Sequence, residues 1–434
     1  MRFGNSVGNK VIRKLKNALQ LKRLYELSVL GLILYVIGTF CATNRYSRIA
    51  RLIFSRLGAA KKLSPTFAAL LGRTFYWSFS DPLSATEYFK RAGRADTLDE
   101  NDISLVLLSA AYAKNLEMLR QVHDAEINAS LKYYASALID FAEGRSNWVE
   151  LFGESLSHYL ARNGKSIDPE LVLPVHLSYS SNIVRHVLDE SSEIIPYYER
   201  VFESPFADHT EPFVLVSLDT KFMQVFSEFL VQRLRRIRTN QFHFAVVTSS
   251  PAEDEGIAER VGSLGRKYGN ISFSILRTRQ NVGLVSSLSR FSEVKGMMDR
   301  YGQTAIVVDA DSNLGAADVM KIEKDMGSSY DCAFVMRQNY VMWALYNAGV
   351  CIFRNTTKTR EMLGKVHQYY ARALHEQRAR WTLDQTGLFF GVRGVDGLKV
   401  LDLDPLLGKG QLSTLPPKYY RQKIRAKALN LSPQ

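Results

Sequence analysis

"TAIVVDADSNLG", residues 304–315, is the stretch on which the reading of this chain turns. Four apolar residues, Ala305–Val308, run straight into Asp309 and Asp311, as a buried strand does when its end meets a polar crevice. A rival pair with the same spacing, Asp402 and Asp404, lies in "VLDLDP". Asp is roughly one residue in twenty, so composition alone yields about one Asp-x-Asp in a chain of this length. The address of each pair, not its spacing, has to decide between them.

Upstream of the first pair, strand and helix signals alternate. "PFVLVSL" (212–218) reads as a strand, and the next segment sets Phe222, Val225, Phe226, Phe229, Leu230, Leu234 and Ile237 on one helical face. "FHFAVV" (242–247) predicts a second strand and "EDEGIAERVGSLGRKYG" a helix closed by Gly269. "ISFSILR" (271–277) predicts a third strand, and "GLVSSLSRFSEVKGMMDRYG" a helix ending at Gly302. Three β–α units and a fourth strand predict an α/β domain with a mostly parallel sheet covered on both faces. Ligands of such sheets sit beyond the carboxyl ends of the strands, near the switch in strand order. Asp309 and Asp311 fall at such an end. A hard cation, Mg²⁺ or Mn²⁺, takes oxygen ligands and normally uses one or two carboxylates plus substrate phosphates. Asp402 and Asp404 come after the series, with Pro405 next, and read as an edge strand entering a turn. One of them is still free to complete the first site from across the cleft.

Two later stretches extend the order. "LYNAGVCIFRNT" (345–356) is strand-like, with Asn347, Ala348 and Gly349 at its start. "RWTLDQTGLFFGV" (380–392) puts Asp384 and Gln385 at the head of an apolar segment. The succession "VLVSLD", "VVDADS", "NAGVCIFRN", "LDQTGLFF" resembles that of nucleotide-sugar glycosyltransferases with the A-type (GT-A) fold, over about residues 210–405. The resemblance implies that Ser217 and Asp219 line the base and ribose pocket. Within "RTRQNVG" it makes Arg277, Asn281 and Gly283 nucleotide contacts. Asp309 and Asp311 would hold the divalent metal and the diphosphate, and Asn347 and Gly349 would border the sugar. Asp384 would face sugar or acceptor as the catalytic carboxylate, with Gln385 beside it. The chain lacks the late His-x-Gly-x-x-Lys-Pro element of the retaining subgroup, and "LGKGQLS" offers only Lys409. The third metal ligand and the stereochemical outcome therefore stay open. By residue type alone, Asp384 equally suits a helix N-cap, Asn347 a turn, Gly349 a bulge and Arg277 the surface.

The remainder has a different texture. Residues 46–205 read as successive helices, with Ser64–Pro65 and Asp81–Pro82 as starts and small or aromatic residues at helical spacing in "LVLLSAAYAKNLEML" and "LKYYASALIDFAEG". They fit a tetratricopeptide-like array or a non-repeating bundle, since no fixed period emerges. His158, His176 and His186 show no metal spacing. The expected division is a basic segment (1–24), a possible anchor (25–45), a helical domain (46–205) and the α/β domain (206–434).

The chain has 434 residues, 46% hydrophobic and 23% charged, with a net charge of +13 and three cysteines. That is globular composition without a disulfide scaffold. Cys332 and Cys351 sit in apolar runs, as buried inert thiols do. Residues 1–24 hold seven Lys or Arg and no acid, and the end of the chain is basic again. Such ends suit anionic lipid; no zinc-finger or RNP-like motif supports a nucleic-acid partner. "LSVLGLILYVIGTFCA" (27–42) carries no charge but is short of the roughly 20 residues that span a bilayer. It reads as a signal-anchor, an interfacial helix or a core helix.

The function expected is a metal-dependent glycosyltransferase moving a sugar from a nucleotide-diphosphate donor to a glycan or lipid-linked acceptor, as in surface-polysaccharide synthesis. Mn²⁺ or Mg²⁺ would be its cofactor and the cytosolic face of a membrane its place. A type II Golgi enzyme is the alternative location, for which sequons exist at Asn128, Asn270, Asn355 and Asn430. The helical domain would bind acceptor, a partner protein or a second copy. The competing function is a non-catalytic helical scaffold carrying a degenerate transferase-like domain. A nucleotidyltransferase fits least, because "SLDTKFMQ" lacks a glycine-rich loop.

Overall fold

The computed structural model describes residues 52–56, 64–79, 81–93, 98–163, 196–204, 212–234, 241–268, 271–310, 322, 324–336, 345–375 and 383–403. The apolar stretch 27–42, both basic ends, His176, His186, Asp311, Asp404 and Lys409 lie outside the described residues. Among those described, no helix is long and apolar enough to cross a membrane. The chain divides into a helical and an α/β unit.

The helical unit comprises α1 (Pro65–Phe79), α2 (Pro82–Ala92), α3 (Glu100–Tyr112), α4 (Leu116–Asp124), α5 (Ala129–Ala142) and α6 (Trp148–Asn163). Short polar side chains start them. Ser64 accepts from the Phe67 amide, Asp81 from Ser84, Asp99 from Asp102, Asn115 from Met118 and Asn128 from Leu131. The run "LVLLSAAYAKNLEML" is therefore two helices rather than one: Lys114 turns left-handed (φ +55°) and Asn115 caps the next. Lengths run from 9 residues in α4 to 16 in α6, so no fixed unit repeats. The side-chain amides of Asn128 and Asn355 donate to Glu100 (3.1 Å) and to the Met298 carbonyl (3.0 Å).

The α/β unit contains β1 (Glu199–Ser204), β2 (Phe213–Asp219), α7 (Thr220–Leu234), β3 (Gln241–Thr248), α8 (Pro251–Tyr268), β4 (Ile271–Arg277), α9 (Val282–Tyr301) and β5 (Ala305–Val308). It continues with β6 (Cys332–Met336), β7 (Tyr346–Phe353), α10 (Thr357–His375), α11 (Leu383–Arg393) and β8 (Val400–Asp402). The sheet order is β1-β4-β3-β2-β5-β7-β6-β8. The four expected strands, β4-β3-β2-β5, are parallel in register. The sheet as a whole is mixed: β1 and β7 run antiparallel to their neighbours, and β8 pairs parallel with β6. Periodicity alone cannot give strand direction, because a buried antiparallel strand such as "AGVCIF" shows the same apolar run.

One face of the sheet presents Val214, Val216, Leu218, Phe242, Phe244, Val246, Ile306 and Val308 to an apolar core shared with α7 and α8. Helix α9 covers the opposite face, which carries buried polar groups. Glu293 of α9 has no solvent exposure and accepts from Tyr198 Oη (2.7 Å), Arg200 Nη2 (2.7 Å) and Ser274 Oγ (3.2 Å). Two of these donors come from the Tyr198–Ser204 region, upstream of residue 206. The α/β unit thus begins earlier than the change in sequence texture, because β1 is short, charged and half exposed.

On the same face, His243 is 1% exposed, with Nδ1 2.7 Å from Ser272 Oγ and Nε2 2.9 Å from Ser274 Oγ. Burial, with Arg300 and Arg200 adding to it, pushes the imidazole down to about 3. It therefore stays neutral in the folded chain, while the unfolded chain protonates near pH 6.5. Below pH 6.5 the unfolded state binds a proton that the native state refuses, so stability falls with pH, by ~1.4 kcal/mol per pH unit, until the native imidazole titrates. Thermal melts between pH 7.5 and 4.5 are expected to fall more steeply for wild type than for His243→Asn. Equal slopes would refute the neutral, buried imidazole.

Candidate functional site

The chain builds β2, β3 and β4 outward on one side and then returns to lay β5 on the other side of β2. The crevice between the carboxyl ends of β2 and β5 is consequently the switch point, where side chains from several loops can meet a ligand. Leu215 pairs with Val307, so the last residues of β2 and Asp309 face this crevice together.

Asp309 follows β5 directly. Its amide donates to the Gly349 carbonyl (2.8 Å), and its side chain keeps 41% of its surface exposed. Asp384 stands in the first turn of α11, and its side chain is 14% exposed. One guanidinium joins them: Arg290 of α9 bonds Asp309 through Nη1 and Asp384 through Nη2 (2.7 Å). Arg290 is 4% exposed and is backed by the Phe291 ring. Asp384 Oδ1 also accepts from the Gln385 amide (2.9 Å), and its backbone carbonyl accepts from Tyr370 Oη (2.7 Å). Each carboxylate oxygen has two acceptor positions, so both aspartates retain capacity for a ligand.

Asn347 and Gly349 lie near the start of β7, as the sequence predicts. The register with β6 jumps from Phe334–Cys351 to Val335–Asn347, so Ala348 to Val350 form a bulge beside β5. Asn347 Oδ1 closes that bulge by accepting from the Gly349 amide (2.7 Å). A bulge re-aims backbone next to a site, and this one delivers the Gly349 carbonyl to Asp309. Gln385 is half-buried beside Asp384.

The residues expected to hold a nucleotide carry structural duties. Ser217 Oγ lies 3.2 Å from the Ala245 carbonyl and 2.9 Å from Ser289 Oγ of α9. Asp219 accepts from the Phe222 amide (2.7 Å) and so starts α7. Burial raises its carboxyl above the usual range, against that hydrogen bond. Arg277 is ion-paired to Asp254, which also accepts from Thr248 Oγ1. Asn281 caps α9 by accepting from Leu284 (3.0 Å). Gly283 differs. A Cβ there would meet only Asn281 Oδ1 at an ordinary 3.5 Å, so the protein's own packing demands no glycine.

The rival pair resolves differently. Asp402 ends edge strand β8 and accepts from the Met336 amide (3.0 Å). Cys332 and Cys351 are buried, and burial pushes both thiols up, as expected of inert cysteines.

Arg290 is the residue that sequence reasoning missed. A signal existed: it lies on the stripe of Val294 and Met297, four and seven residues on, where a helix facing a sheet should be apolar. A charge there requires partners.

Asp309 offers hard oxygen at the crevice, which fits one carboxylate contact to Mg²⁺ or Mn²⁺ with substrate phosphates completing the shell. Among the described residues no group of three or more His, Cys, Asp or Glu is assembled for a metal.

Comparison with family models gives no match, and comparison with curated proteins gives none. Among solved structures, an active-site mutant of LgtC is 13% identical, covering 51% of this chain and 98% of its own, with a TM-score of 0.30. The apo structure of the WbbM bifunctional glycosyltransferase is 14% identical, covering 84% of this chain and 65% of its own, with a TM-score of 0.28. Similarity at this level does not bear on activity.

Proposed function

We propose that the α/β unit is a glycosyltransferase that moves a sugar from a nucleoside-diphosphate donor, with the crevice between β2 and β5 as its active site. The observation that carries this reading is the ion-paired cluster Asp309–Arg290–Asp384, which unites motifs 75 residues apart in the chain. The order of those motifs, which resembles that of A-type nucleotide-sugar transferases, supports it independently.

Departure of a nucleoside diphosphate leaves an oxocarbenium-like sugar and gathers negative charge on the leaving group. A bound Mn²⁺ or Mg²⁺, held by Asp309 and Asp311, would stabilise that charge as a Lewis acid. Gly283 leaves room for phosphate against the first turn of α9. Asn347 and the Gly349 bulge border the sugar. Asp384, oriented by Arg290 and Tyr370, faces the sugar or the acceptor hydroxyl and takes its proton. The acceptor is a glycan or a lipid-linked one, and residues 27–42 with the basic ends bring the chain to an anionic membrane face. Sedimentation with anionic vesicles tests that attachment: full-length chain pellets, and a chain lacking residues 1–45 does not.

Calorimetry with UDP and GDP in the presence of Mn²⁺ tests the site. Wild type is expected to bind one of them, and Asp309→Ala and Asp311→Ala to lose at least about tenfold in affinity, as when an interaction of ~1.4 kcal/mol is removed. Equal binding by the variants would overturn the metal assignment. Absence of binding by wild type would leave the scaffold reading in its place.

A further inference from the structure

Arg290 bridges two carboxylates, that of Asp309 at the crevice and that of Asp384 at the head of α11. It is 4% exposed, and its Nε has no hydrogen-bond partner. Buried guanidinium groups normally bond through most of their five donors. Here the two terminal nitrogens do all the bonding described, one to the strand end and one to the helix head. The cluster therefore carries one cation for two anions, and the more exposed anion is Asp309, at 41% against 14% for Asp384.

A divalent cation that reaches Asp309 binds a carboxylate whose Oδ1 is already paired with a guanidinium. The two positive charges then repel within a few ångströms, in a setting where water screens them poorly. Both cations cannot hold the same carboxylate at full strength.

We propose that Arg290 is a built-in counter-ion that competes with the divalent cation for Asp309, so that metal entry releases Nη1 while Nη2 stays tethered to Asp384. This rests on the metal-dependent transferase reading above. In the metal-free protein Arg290 neutralises Asp309 and keeps α11 docked through Asp384. When the cation takes Asp309, the freed N–H groups of Arg290 point into the crevice, beside the place the diphosphate would occupy. Arg290 thereby acts as a positioning residue that makes the site a poor trap for metal alone.

The test is Mn²⁺ binding without nucleotide, followed by the electron paramagnetic resonance signal of free Mn²⁺, in wild type, Arg290→Gln, Arg290→Lys and Asp309→Ala. Glutamine keeps a donor for one carboxylate and removes the charge; lysine keeps the charge but cannot bond both carboxylates in a fixed fork. Arg290→Gln is expected to bind Mn²⁺ about tenfold more tightly than wild type, with Arg290→Lys in between and Asp309→Ala weaker than all. Thermal melts establish that each variant is folded, and the lysine variant carries the comparison should the glutamine variant not fold. Mn²⁺ affinity unchanged or reduced in both Arg290 variants, with Asp309→Ala still impaired, would overturn the counter-ion proposal and leave the metal site standing. Indifference of Mn²⁺ binding to Asp309→Ala, with and without UDP or GDP, would overturn the metal reading and the proposal with it.

Discussion

Asp384→Asn is expected to lower sugar transfer by about 10²- to 10⁴-fold, the range contributed by a positioned acid or base. The amide is isosteric with the carboxylate and leaves the Tyr370 bond to the 384 carbonyl in place. What it removes is one of the two anions that Arg290 bonds, and with it the proposed catalytic charge. Nucleotide binding with Mn²⁺ should change far less than transfer does, because the metal is held at Asp309, so the loss appears chiefly in kcat. The measurement is single-turnover transfer or donor hydrolysis, using whichever nucleotide-sugar wild type accepts. A pH–rate profile accompanies it: a base loses the acidic limb on substitution, whereas a group that only holds the sugar does not. Transfer within about threefold of wild type would reduce Asp384 to a helix head.

The second large effect concerns packing behind the site. Helix α11 lies against α10 so closely that a Cβ on Gly387 would overlap the Tyr370 ring, and one on Gly391 would overlap Val366 and sit 3.1 Å from the Met362 carbonyl. Gly391→Ala has backbone as well as side chain to displace, so it is expected to cost about 1–3 kcal/mol or more. That corresponds to a fall of several degrees in melting temperature, at ~2–4 °C per kcal/mol for a domain of this size. Gly387→Ala should add a functional loss to a similar destabilisation. The ring it displaces carries the hydroxyl that holds the Asp384 carbonyl at 2.7 Å. The two alanines thus separate packing from positioning: melting curves should shift in both, and kcat should fall further in Gly387→Ala. Unchanged melting of both would mean that α11 does not pack as described.

The reading of the sequence succeeded where local pattern and local structure coincide. The strands "FVLVSLD", "QFHFAVVT" and "ISFSILR" are buried on both faces because helices cover both, and their apolar runs mark them directly. Gly302 ends α9 in the left-handed conformation, as its place after the helical run predicts. The place of Asp309 at a strand end and that of Asp402 on an edge strand followed from the order of elements.

The misses are long-range. Strand directions beyond β5 depend on connections that apolar runs do not encode. The strand Glu199–Ser204 is exposed along most of its length and offers no alternation to detect. Asp219, Arg277 and Asn281 have the polar chemistry of ligands and of caps alike, and residue type alone does not show that all three also bond within the protein. Arg290 was visible only as a charge out of place on a helix face, because the carboxylates that explain it lie 19 and 94 residues away.

The tie between β1 and α9 has a practical consequence for dissecting the chain. A fragment begun at residue 206 discards Tyr198 and Arg200, and with them two of the three donors that satisfy the carboxylate of Glu293. It also strips β4 of its outer neighbour and leaves a raw sheet edge open to pairing with other molecules. A fragment begun at residue 196 keeps the strand and the donors together. Where the α/β unit can be severed from the helices is therefore set by a tyrosine and an arginine that serve a glutamate about a hundred residues downstream.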